Sequence, residues 1–108
     1  MRKVFKDIIP NKFTIGGVEY NVNFVTNEDN ISNFGRIDCF NAEVKLQNER
    51  NSKPISRKQL TQTFWQEAVH GILDAMGESE LNNNEKFVTC FSSMLNEVIQ
   101  SCEVEDEK

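Results

Sequence analysis

The fold is decided by residues 63–77, which read Thr-Phe-Trp-Gln-Glu-Ala-Val-His-Gly-Ile-Leu-Asp-Ala-Met-Gly. Here and just upstream, apolar side chains recur three and four positions apart, as in an amphipathic helix. They are Leu60, Phe64, Trp65, Ala68, Val69, Ile72 and Met76. Residues Ser56 to Gln59 fit a capping box, and Gly77 favours a left-handed stop. We therefore predict a helix that begins after the Ser56 cap and ends at about Met76.

A second helix is predicted after a short polar connection. It begins near Asn82 or Asn83 and runs to about Cys102, with an apolar stripe of the same spacing. The stripe consists of Phe87, Val88, Phe91, Met94, Leu95, Val98 and Ile99. Glu85 lies three residues after Asn82, where the acidic residue of a capping box belongs. We expect the two helices to pack on each other and on a sheet.

A glycine pair indicates a β-hairpin near the N-terminus. Gly16 and Gly17 can take the positive φ angles that tight hairpin turns require, so residues 12–15 and 18–25 are predicted strands. In the second strand, apolar residues alternate with polar ones, which predicts one buried face and one solvated face. The apolar residues are Val18, Tyr20, Val22 and Phe24.

Two further strands are predicted before the first helix. Residues 35–37 and 42–46 form the pair, with the turn near residues 38–41 and with Val44 and Leu46 pointing inward. Residues 47–54 read as a polar linker. The fold class is therefore α+β: a small, mostly antiparallel sheet of three or four strands in the N-terminal half, packed by two long C-terminal helices.

Length and charge limit the classes of protein that need considering. The chain has 108 residues, 38% of them hydrophobic, which suits one domain over residues 1–102 followed by an acidic tail at 103–108. Its formal net charge is −5, and no basic stripe is present, so we expect no nucleic-acid partner. No apolar run has the length of a membrane span, so no membrane association is expected either.

The N-terminus and the cysteines favour a cytoplasmic protein. The apolar stretch that follows Arg2 and Lys3 is interrupted by charged residues and ended by Pro10, unlike the core of a signal peptide. The cysteines are odd in number and lack the close spacing of metal ligands. We expect Cys39, Cys90 and Cys102 to be reduced and mostly buried.

The first helix contains the sequence Gln66-Glu67-Ala68-Val69-His70. Gln66 and His70 lie one helical turn apart and project side by side, with Glu67 about 100° around the helix. This is the geometry of the motif His-Glu-x-x-His, in which two imidazoles bind zinc and the glutamate acts as a general base. Here the first ligand position holds Gln66, and His70 is the only histidine in the chain.

Residues 63–77, together with the following Asn84-Glu85-Lys86-Phe87-Val88, resemble the small zincin-like proteins of bacteriophages and mobile elements. The strand Gly35-Arg36-Ile37-Asp38 is also similar to the sheet of that family. The resemblance implies that His70 corresponds to a zinc ligand, Glu67 to the catalytic base and Glu85 to a third ligand at the start of the second helix. Gln66 departs from the family pattern, because a neutral amide oxygen is a weak zinc donor.

The resemblance and its one departure lead to two functional hypotheses. The first is a catalytically inactive zincin-like protein of phage or mobile-element origin, without a cofactor, that binds a protein partner along the sheet edge or in the cleft above the first helix. In this hypothesis Gln66, His70 and Glu85 are a remnant metal site and Glu67 a vestigial base. The alternative is a weak or atypical zinc-dependent metallopeptidase.

Each of these residues also has an ordinary structural interpretation. His70 fits a histidine on the polar margin of a helix, Glu67 fits a solvated helix carboxylate, and Glu85 fits a capping residue. Under this third reading the function depends on a surface elsewhere. The charge and the expected open sheet edge are compatible with a monomer or a weak homodimer.

Overall fold

The computed structural model describes residues 2–26, 34–50 and 52–105, which form an α+β fold. The strands are β1 (Arg2–Val4), β2 (Lys12–Ile15), β3 (Val18–Thr26), β4 (Gly35–Asp38), β5 (Glu43–Arg50), β6 (Lys53–Pro54) and β7 (Glu103–Glu105). The helices are α1 (Arg57–Met76), α2 (Ser79–Asn82) and α3 (Glu85–Ser101). The predicted combination of an N-terminal sheet and two long C-terminal helices is confirmed.

The main sheet has the strand order β2-β3-β5-β4, with the short β6 paired to β5. All of its pairings are antiparallel except the central one, because β3 and β5 run parallel. The sequence did not reveal this pairing. It arises because β5 inserts between β3 and β4, so β4, which precedes β5 in the chain, becomes an edge strand.

The predicted N-terminal hairpin is confirmed. Gly16 and Gly17 have φ angles of 55° and 82°, and Ile15 pairs with Val18 across the turn. The predicted buried face of β3 is present only in its middle, where Tyr20 and Val22 are buried. The ends of this face, at Val18 and Phe24, remain exposed.

The predicted polar linker at residues 47–54 is wrong. β5 continues through Arg50, and β6 turns back to pair with it. The Gln47 backbone amide donates to the Phe34 carbonyl at 2.8 Å, and the Gln47 side chain is buried. Backbone pairing to strands on both sides of β5 thus extends a strand through polar residues that a sequence pattern assigns to a loop.

Helix α1 has the predicted boundaries. Ser56 Oγ accepts a hydrogen bond from the Gln59 amide at 3.2 Å, and Gly77 adopts a left-handed conformation with φ 74°. The reciprocal bond of the capping box, from the Gln59 side chain to the Ser56 backbone amide, does not form. The Gln59 side chain instead donates to Thr63 Oγ1. The carbonyls of Leu73 and Asp74 accept from the two amides that follow the helix, which satisfies the helix end.

Helix α1 lies between the main sheet and α3. One of its sides packs on the sheet, where the core consists of Val22, Val44, Leu46, Leu60, Phe64 and Ala68. The opposite side packs on α3, where Val69 and Leu73 meet Val88. Among the described residues α3 makes its main contacts with α1 and α2. The expectation that both helices pack on the sheet is therefore wrong for α3.

The start of α3 and the segment that follows α3 differ from the prediction. Asn84 caps α3 by accepting from the Phe87 backbone amide at 3.0 Å, so the helix begins two to three residues after the predicted start near Asn82 or Asn83. The predicted capping-box position of Glu85 is wrong. The acidic tail begins as a strand, because β7 pairs with β1. The remainder of the predicted tail, residues 106–108, lies outside the described residues.

Several side chains are more exposed than their residue types predicted. The three cysteines are free, but Cys90 and Cys102 are exposed and only Cys39 is partly buried, so the expectation of mostly buried thiols is wrong. Trp65 is half-buried and lines an open apolar hollow with Ile72 and Met76, which are exposed. No helix within the described part of the chain is long and apolar enough to cross a membrane.

Two glycines allow α1 to approach the sheet closely. A Cβ atom at Gly35 would lie 2.7 Å from Thr63 Cγ2 and 3.1 Å from the Lys45 carbonyl oxygen. A Cβ atom at Gly71 would lie 2.6 Å from Ile37 Cδ1 and 2.9 Å from Ile15 Cδ1. The first position meets a β-branched helix residue and backbone, whereas the second meets only the flexible ends of two isoleucines.

We expect Gly35→Ala to destabilise the fold by about 1–3 kcal/mol, because the methyl group forces α1 and β4 apart. Gly71→Ala is the matched control, since isoleucine ends can move and alanine favours a helix by about 1 kcal/mol over glycine. Chemical denaturation of both variants measures the difference. An equal or larger loss for Gly71→Ala would contradict this account of the contact between α1 and β4.

Candidate functional site

The candidate site lies where α1 passes the open edge of β4. In the described part of the chain no strand pairs with the outer side of β4. Gln47 bonds to the Phe34 carbonyl, and antiparallel pairs alternate between hydrogen-bonded and non-hydrogen-bonded positions. The amides of Gly35 and Ile37 consequently point away from β5, towards the outer edge.

Glu67 connects α1 to this edge. Glu67 is 9% exposed, and its carboxylate faces the outward backbone amide of Ile37, which favours the charged form. The alternative interpretation of Glu67 as a solvated helix carboxylate is therefore wrong. An acidic side chain that is buried on a helix and faces an edge strand is an unusual feature, because carboxylates are seldom buried without a partner.

Burial raises the pKa of Glu67 from 4.5 to about 7, because the charged form loses its hydration. His70 and the Ile37 amide oppose this rise, since both favour the carboxylate. Glu85 adds to the rise as a nearby negative charge. The Glu67 carboxyl group is therefore divided between its neutral and charged forms near pH 7, with His70 and Glu85 in electrostatic range.

His70 is held by a residue that the sequence analysis did not assign to the site. Its Nδ1 atom lies 2.5 Å from Asn82 Oδ1, and Asn82 is the last residue of α2. The contact makes Nδ1 the protonated nitrogen, since an amide oxygen can only accept. The other ring nitrogen, Nε2, is then the acceptor or ligand atom. The only sequence signal for Asn82 was its position among three consecutive asparagines.

The other two predicted site residues, Glu85 and Gln66, differ from each other in exposure. Glu85 is exposed at the first position of α3, where a carboxylate also interacts favourably with the helix dipole. Gln66 is half-buried and lines a small cavity of about 80 Å³ with Glu67, Phe34 and other residues of α1 and β4. The structure thus brings Glu67, His70 and Glu85 into one electrostatic neighbourhood, with Gln66 beside Glu67.

The side chains at this site do not form a complete zinc-binding set. His70 fits a zinc-binding histidine, because a hydrogen bond from its second nitrogen is the usual arrangement around the metal. Gln66 does not fit, because its neutral amide is a poor donor for zinc. Within residues 2–26, 34–50 and 52–105, no group of three or more His, Cys, Asp or Glu side chains is arranged to hold a metal ion.

A second polar cluster lies at the other end of α1. Tyr20 lies beside Cys39, and Asp74 is close enough to raise the pKa of both groups. Burial raises the pKa of Tyr20 to about 12 and also raises the pKa of the Cys39 thiol. Cys39 is therefore kept protonated, which makes it a poor nucleophile and metal ligand. The cluster joins the loop after β4 to β3 and α1.

Comparisons with known protein families, with curated proteins and with solved structures found no match to this chain.

We expect Glu67→Gln to stabilise the protein at neutral pH by up to about 3 kcal/mol. The folded pKa of Glu67 is raised, so its contribution to stability is fully present below about pH 4.5 and falls as pH rises to about 7. Denaturant unfolding of wild type and variant at a series of pH values between about 4 and 8 tests this.

Glu97→Gln is the control, because it removes an exposed carboxylate and changes the net charge by the same amount. The stability gain of Glu67→Gln should grow between about pH 4.5 and 7 and then remain constant. A gain that does not change with pH would contradict the buried, partly protonated state of Glu67.

Proposed function

We propose that this protein is a catalytically inactive, zincin-like binding module of phage or mobile-element origin. Its protein partner binds at the β4 edge beside Glu67 and His70. The observation that carries the proposal is the contact of the Glu67 carboxylate with the outward amide of β4. It supports the proposal because it brings Glu67, one residue of the zincin-like motif, against the strand edge that a peptide would meet.

The β4 edge is suited to an extended peptide. Gly35 directs its amide and carbonyl outward and Ile37 its carbonyl, whereas the Ile37 amide already faces Glu67. The edge has no strand partner among the described residues. A peptide strand can add to such an edge through main-chain hydrogen bonds, with specificity from neighbouring side-chain pockets. This mode of binding uses the sheet and the cleft and needs no metal ion.

Gln66 supports the inactive form of the proposal. The helix keeps Glu67 and His70 in the expected helical positions, and α3 supplies Glu85 nearby. Substitution of one ligand by a neutral amide removes a strong donor while the surrounding packing is preserved. On this proposal, the change weakens metal binding while the fold is kept.

The alternative is a weak or atypical zinc-dependent metallopeptidase. The observation that favours it is the contact between His70 Nδ1 and Asn82, which leaves Nε2 with its lone pair. The donor set nevertheless contains one weak member, Gln66, which counts against tight zinc binding.

We expect the native protein to retain well below one zinc per chain after loading and removal of free metal. Gln66→His should retain about one zinc per chain, because it supplies the second imidazole one turn from His70. Inductively coupled plasma mass spectrometry of the tag-free proteins measures the metal content. Gln62→His is the matched control, since Gln62 is a half-buried glutamine one turn earlier on α1.

Two other outcomes of the zinc measurement would change the interpretation of the site. One zinc per native chain, with peptide cleavage that Glu67→Ala abolishes, would replace the inactive module by the metallopeptidase. If Gln66→His also fails to retain zinc, the zincin-like interpretation of the site is wrong.

We expect peptides selected from a random library on the wild-type protein to bind His70→Ala/Glu85→Ala at least about tenfold more weakly. These two side chains lie in electrostatic range of Glu67 and do not belong to the hydrophobic core. Lys12→Ala/Glu19→Ala is the control, because it removes a basic and an acidic residue, 3.8 Å apart, at the other sheet edge. Fluorescence anisotropy measures affinity, and equal binding to all three proteins would place the binding surface elsewhere.

A further inference from the structure

Helix α3 has two adjacent apolar stripes, and the structure covers only one of them. The covered stripe faces α1 and includes Val88, which is fully buried, and Leu95, which packs on the same cluster. The second stripe contains Phe91, Met94 and Val98, which are 48%, 58% and 59% exposed. These residues are spaced three and four apart, as on the contact face of a paired helix.

The exposed stripe contains a shallow, open hollow. It has a volume of about 400 Å³ and is lined by Phe87, Cys90, Phe91 and Met94, together with Asn84 and Lys86. The first four residues have the spacing i, i+3, i+4 and i+7, which is that of the hole that receives one side chain of a facing helix. The rings of Phe87 and Phe91 stack with centroids 5.6 Å apart and form one wall.

The charges beside the stripe favour one orientation of a second α3 helix. Lys86 lies near the N-terminal end of the stripe, and Glu97 lies near its C-terminal end on the same flank. In a parallel two-fold pair, the flank that carries Lys86 and Glu97 would lie against the opposite flank of the other helix, so no ion pair between Lys86 and Glu97 would form. In an antiparallel pair, Lys86 of each molecule comes within about one helical turn of Glu97 of the other, twice by symmetry.

We propose that α3 packs against α3 of a second copy of this chain to form an antiparallel, two-fold symmetric homodimer. Met94 of each molecule enters the hollow between Phe87 and Phe91 of the other, and Phe91 lies opposite Met94. The same surface thus provides both the projecting side chain and the hole, which is the self-complementarity that a two-fold interface requires.

The extent of the stripe indicates a weak dimer. From Phe87 to Val98 the helix rises by roughly 16 Å. A single helix pair of this length covers less than the roughly 800 Å² per partner of a standard interface. Assembly therefore depends on protein concentration. The interface does not include Glu67, His70 or the β4 edge, so the dimer and the proposed binding function can fail independently.

Sedimentation velocity over a range of protein concentrations, under reducing conditions and at low salt, tests the proposal. We expect wild type to shift from monomer to dimer with rising concentration. Met94→Glu should raise the dimer dissociation constant by at least about tenfold, because it places an unpaired carboxylate in an apolar contact. Met76→Glu is the matched control, since Met76 is also a helical methionine, 64% exposed, but lies on α1. It should leave the dimer unchanged.

Charge reversal tests the orientation with exposed residues that the fold does not need. Lys86→Glu should weaken the dimer about two- to tenfold, and Lys86→Glu/Glu97→Lys should restore it, because the pairs are re-formed with exchanged signs. A wild-type protein that remains monomeric at all concentrations would overturn the proposal, including the case in which this stripe binds a helix of another protein. An equal effect of Met76→Glu, or no recovery in the double variant, would also overturn it.

Discussion

Helix α1 is covered on two opposite sides, and the positions of the other elements depend on this burial. Phe64 and Ala68 pack into the core shared with β3 and β5, whereas Val69 and Leu73 pack against Val88 of α3. Each fully buried Val, Leu or Phe side chain stabilises the fold by roughly 1.5–3 kcal/mol. A helix that is buried on both sides cannot rotate without the loss of one of its cores, so the direction of its remaining flanks is fixed.

The polar site is a consequence of this fixed rotation. Glu67 lies on a flank of α1 between its two cores, and Gly35 brings that flank close to the edge strand β4. The carboxylate is desolvated there, and the outward amide of Ile37 faces it and compensates in part. Asn82 restrains His70 from α2, so the geometry of the site depends on three separate elements. The same rotation leaves α3 with one uncovered side, since α1 reaches only the stripe that contains Val88.

Local hydrogen bonds explain where the sequence was sufficient and where it was not. The ends of α1 were predictable because Ser56 and Gly77 act on amides and carbonyls within a few residues. The start of α3 was not, because three consecutive asparagines can all serve as caps. Asn82 is engaged by His70 and Asn84 caps the helix, a choice made by a contact between residues far apart in sequence. The strand through residues 47–50 was missed for a similar reason, since its pairing partners lie elsewhere in the chain.

The sequence by itself determined the α+β class, the N-terminal hairpin and the extent of α1. These follow from turn glycines, helix caps and apolar periods that act over a few residues. It also placed Glu67 and His70 on one helix, which three positions of separation dictate. Only the tertiary structure decided that β3 and β5 run parallel, that Glu67 is buried against β4, and that Met94 and Val98 remain exposed. A periodic pattern shows that a residue is apolar, but its burial depends on whether a distant segment has the shape to cover it.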